Sequence, residues 1–78
     1  MDTMDDSLAR RVMHLTWHGL AADGAEHGNP HARRFTSPAA WQRARQAIVD
    51  ACHEASASES LREYFSTRWL DQFAPRLS

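Results

Sequence analysis

Histidine, cysteine and arginine are the residues of this chain whose chemistry could make a site. The sequence carries five histidines. His14 and His18 stand one turn apart in a stretch of helical periodicity, a spacing at which two imidazoles can ligate one ion. His27 and His31 follow in a loop, and His31 would serve as third ligand of a zinc-type site built on His14 and His18. The rest of the sequence argues against such a site. It has no CxxC pair, and no acidic residue lies between the helix histidines as it does in the HExxH pattern of metalloproteases. The expectation is therefore no metal and no other cofactor, with histidine-based metal binding as a minor alternative.

Cys52 is the only cysteine, which excludes a disulfide within the chain and fits a reducing compartment. His53 adjoins it, but successive helical residues point about 100° apart and do not meet. Cys52 falls on the apolar side of a predicted helix, where a thiol behaves as a small hydrophobe. The carboxylates are scattered over predicted solvent faces. Neither an activated nucleophile nor a matched acid–base pair emerges, and the chain is read as non-enzymatic.

The nine Lys/Arg positions are all arginine. From His27 to Val49 no acidic residue interrupts Arg33, Arg34, Arg43 and Arg45. Arg33 and Arg34 precede the N-terminus of a predicted helix, an end that disfavours cations. An anionic surface, phosphate or protein carboxylate, would suit them. Local pairing with Glu26, Asp50 or the acidic N-terminus would satisfy the same charges and is the preferred reading. A helix-turn-helix made by the second and third helices fares worse. Their connection lacks glycine, and the recognition helix would set Arg62 and Arg68 against Glu59, Glu63 and Asp71. Helices that enter the major groove are normally more basic.

The elements that must position these residues are helices. The first is expected over about 7–22, opened by Asp5, Asp6 or Ser7 and closed by Gly24. Leu8, Val12 and Leu15 make one stripe and Ala9, Met13, Trp17 and Leu20 an adjacent one, broad enough to face two surfaces. Residues 23–37 form a long loop, broken by Gly24, Gly28 and Pro30, whose far end Phe35 anchors. The second helix is expected over 38–55, with Ser37 as N-cap and Pro38 at its first position. Its apolar face is Trp41, Ala44, Ile48, Ala51, Cys52 and Ala55. The third is expected over 59–73, capped by Ser60 with Glu63 or by Ser56 with Glu59. Leu61, Phe65 and Trp69 recur along it every four residues, and Trp17 and Trp41 could join them in one aromatic cluster. The short second connection favours an antiparallel pair. The fold class is an all-α three-helix domain.

Seventy-eight residues allow one domain, here 1–78 with residues 1–5 expected to fray, and a chain this size buries only about 60% of its unfolded surface. Small domains often offset that by oligomerising. The acidic N-terminus does not read as a signal peptide, and no apolar run approaches the ~18 residues of a membrane span, so a cytoplasmic protein is expected. Helices 1 and 3 carry more apolar surface than one neighbour would cover. A homodimer or a protein partner is expected to use it, through Met13, Trp17, Leu20, Trp69, Leu70 and Phe73. The function expected is protein binding, as an adaptor, an anti-activator, or an inhibitor of the kind bacteria and phages encode as short separate proteins. The alternative is a nucleic-acid-binding regulator that uses Arg33, Arg34, Arg43 and Arg45.

Overall fold

The computed structural model describes residues 3–23 and 34–75. Among them every regular element is helical: α1 (Thr3–Ala22), α2 (Pro38–Glu54) and α3 (Glu59–Glu63), the last running without a break into a π-helical segment, Tyr64–Trp69. Three helices are thus present, as the apolar periodicities require. Gly24, Gly28 and Pro30, expected to break the long loop, lie outside the described residues.

Side-chain pairs fix the directions. Gly19 lies over Ala44 and Arg11 reaches Glu54, so α1 and α2 are antiparallel. Trp41 meets Leu70 and Arg45 meets Ser66, which sets α2 against the third helix, also antiparallel. α2 is the central element. α1 and the third helix run parallel and meet through side chains, Thr16 with Trp69 and Trp17 with Phe73.

The core follows from the repeats. Leu8, Val12, Thr16 and Leu20 recur every four residues on α1 and are all buried. They pack on Ala40, Ala44, Ile48 and Cys52 of α2 and on Leu70 and Phe73, with Phe35 closing one end. Small α2 residues let α1 come close. A β-carbon on Gly19 would lie 3.2 Å from the Phe35 ring and 3.4 Å from Ala44 Cβ. Phe35 is held further by its N–H, which donates to the Phe73 carbonyl at 2.9 Å. Beside it the Thr36 hydroxyl and N–H both donate to the Asp23 carboxylate. These contacts pin the described ends of the loop together.

The element ends differ from expectation in three places. α1 starts at Thr3, four residues ahead of Ser7, so Asp6 and Ser7 sit inside the helix instead of capping it. Acidic residues are favourable in a first turn, where the dipole is positive, as well as at a cap. α2 begins as expected, with the Ser37 hydroxyl accepting from the Ala40 N–H at 3.2 Å. It ends in a Schellman turn: the Ala57 N–H donates to Cys52 at 2.9 Å and the Ser56 N–H to His53 at 3.1 Å. Ser56 adopts φ 54° there, a position usually given to glycine. Ser56 is thereby committed, and Ser58, not Ser56 or Ser60, caps α3 by accepting from the Leu61 N–H at 3.2 Å.

The third difference is the π-helical segment. A constant helical period puts Leu61, Phe65 and Trp69 in the core, yet all three are half-buried. Ser66, Leu70 and Phe73 are the buried set. Widening the turns to i→i+5 bonding rotates the residues beyond it, moving the inward face round by one position.

Candidate interaction surface

The exposed apolar surface lies where α1 and the third helix meet. Met13 is 43% exposed and Trp17 40%, although they alternate with the fully buried Val12 and Thr16. Trp17 stands where the two parallel helices are bridged by large rings, and Met13 lies one turn before it on the same face of α1. Trp17 packs edge-to-face on Phe73 with ring centroids 5.6 Å apart, and Phe73 packs likewise on Trp69 at 5.3 Å. The indole of Trp69 is fixed from below: its Nε1 donates to Thr16 Oγ1 at 2.9 Å, and that hydroxyl donates to the Val12 carbonyl at 2.8 Å. Thr16 has no exposed surface. Sequence reasoning missed it as a polar residue on an apolar stripe; its place midway between Val12 and Leu20 was the available signal.

Three of the six residues expected to form an apolar interface are internal. Leu20, Leu70 and Phe73 are buried within the chain, because the π-helical segment turns Leu70 and Phe73 inward and α2 covers Leu20. The exposed part of that set is therefore Met13 and Trp17, with Trp69 half-buried. Trp41 joins the third helix by a hydrogen bond, its Nε1 donating to the Leu70 carbonyl at 3.1 Å. Tyr64, 46% exposed, stands against Phe65 with centroids 5.3 Å apart.

The arginines do not gather into one patch. Arg34 donates to the Ala74 carbonyl at 3.0 Å, and Arg45 donates through Nε to the Ser66 carbonyl at 3.1 Å. Each ties segments distant in sequence, and among the described residues their hydrogen-bond partners are backbone carbonyls. Asp50 instead accepts from Gln46 at 3.0 Å. Arg43 is exposed and borders a different groove, of ≈ 400 Å³ between α1 and α2, with His18 and Asp23 on its rim. Arg33 and Glu26 lie outside the described residues. The exposed residues of α3, of the π-helical segment and just beyond it mix Glu59, Glu63 and Asp71 with Arg68.

His14 and His18 are both exposed, with ring centroids 4.3 Å apart. His27 and His31 lie outside the described residues, among which no three metal-ligating side chains come together. Cys52 is buried in the core as a free thiol. Burial pushes its pKa above the ordinary thiol range, and the Arg62 guanidinium opposes that in part. No helix of the described residues is long and apolar enough to cross a membrane.

Comparison of the chain with protein-family models, with curated proteins and with solved structures gives no match in any of the three.

Proposed function

We propose that this chain is a small non-enzymatic helical protein that acts by binding another protein, and that it pairs with a second copy of itself across the seam between α1 and the third helix. One observation carries the reading: Met13 and Trp17, one turn apart on α1, keep about two-fifths of their surface in solvent, and Trp17 packs on Phe73, which packs in turn on the hydrogen-bonded Trp69. Large apolar side chains grouped on a firm base are what interfaces use, since aromatic anchors lose little conformational freedom on binding. An adaptor, anti-activator or inhibitor working in the cytoplasm fits a reading in which the surface, not a reaction, is the functional part.

Sedimentation equilibrium at micromolar concentration tests this with wild type and a Met13→Ser/Trp17→Ser variant. The expected result is a dimer for the wild type and a monomer of unchanged helicity for the variant. A wild type that stays monomeric removes the self-pairing. Failure of the variant to alter capture of partners from the native host removes the seam as the binding surface.

A further inference from the structure

We propose that His14 and His18 form a two-imidazole clamp for a divalent transition-metal ion, best filled by Cu²⁺. The inference stands apart from the protein-binding reading and does not depend on it. Both rings project from α1 on its solvent side, one turn apart, with centroids 4.3 Å apart and planes inclined at 47°. Among the described residues neither ring makes a hydrogen bond or an ion pair, so their nitrogens are open to an ion. Two nitrogens each about 2.0–2.1 Å from one ion at a right angle lie about 3 Å apart. Rings already this close reach that separation by small side-chain rotations, while the helix holds their Cβ atoms about 5–6 Å apart.

The chemistry selects the ion. Imidazole suits copper, nickel and zinc, and at a site with no other protein ligand the general order of affinity puts Cu²⁺ first. Copper also accepts a square arrangement in which two cis nitrogens come from the protein and water fills the rest, so a third side chain is not required. Positive charge nearby opposes any cation, but Arg11 is taken up by Glu54 at 2.6 Å. Arg10 and Arg43 remain, and they favour an ion that bonds strongly to nitrogen over one held by charge alone. That excludes Ca²⁺ and Mg²⁺, which need oxygen ligands.

The test is titration of the full chain with Cu²⁺, followed by calorimetry and by electron paramagnetic resonance. Wild type is compared with His14→Gln, His18→Gln, the pair together, and a His27→Gln/His31→Gln control. Because both clamp residues are exposed, the variants keep the fold, which circular dichroism verifies. The expected result is one site with nitrogen couplings, weakened by roughly tenfold or more in either single clamp variant as one of two ligating nitrogens is lost. The loop variant binds as the wild type does. No site in the wild type, equal affinity in the double clamp variant, or a loss seen only in the loop variant would each overturn the proposal.

Discussion

Thr16 shows how much one hydroxyl can decide. It sits in the middle of α1 with no exposed surface, and it satisfies the indole N–H of Trp69 while giving its own proton to Val12. Thr16→Val keeps the shape but strands the Trp69 donor. The expected cost is about 1–3 kcal/mol in urea unfolding, with Thr16→Ser costing less because the acceptor remains. Cys52 makes a second prediction at this scale. Its thiol is held above the ordinary value by burial, so the folded state keeps its proton to higher pH than the unfolded state does. Between the two values the unfolded chain binds fewer protons, and stability falls as pH rises. Wild type should lose stability above about pH 8.5, the ordinary thiol range, more steeply than Cys52→Ala does; equal slopes would contradict this.

Among elements, the turn between α2 and α3 is the clearest case of geometry overruling composition. The connection is short but lacks the glycine that usually ends a helix, and Ser56 takes φ 54° in its place and closes a Schellman motif. Two bonds to the end of α2 and the packing of Ala57 on the core outweigh the strain of that one residue. Ser56→Gly should remove the strain and raise stability by about 0.5–1 kcal/mol, a rise of several degrees in Tm for a domain this size. The arginines divide in the same way. Arg45 binds α2 to the π-helical segment, so Arg45→Ala should cost about 1–2 kcal/mol. Exposed Arg43 has no such role, and Arg43→Ala should stay within about 0.5 kcal/mol. If the two variants cost the same in thermal unfolding, Arg45 is not the strut described here.

The molecule is a triangle with unequal sides. α2 meets α1 closely through Ala44 and Gly19 and is tied to the third helix by Trp41 and Arg45, whereas α1 and the third helix are bridged by Trp17, Trp69 and Phe73. Rings leave the wider seam, and Trp17 stays two-fifths exposed beside it. Association through that seam should be driven by apolar burial. The dimer constant should therefore change little between low and moderate salt, where charge-driven contacts weaken. A steep salt dependence, or firm retention on heparin, would move the function towards a phosphate-bearing partner.

Residue pattern alone determined the three helices, the Ser37–Pro38 start of α2, the small face of that helix and the anchoring by Phe35. These are set by local chemistry: caps, breakers and apolar repeats act within a few residues, so the sequence displays them directly. The tertiary structure alone decided which apolar residues are inside. Six looked equally suited to an interface, and Leu20, Leu70 and Phe73 proved internal because a π-helical turn and the central position of α2 assign the faces. It likewise decided that Arg34 and Arg45 serve backbone carbonyls. A side chain's partner across the fold depends on how helices cross, and helix periodicity carries no record of that.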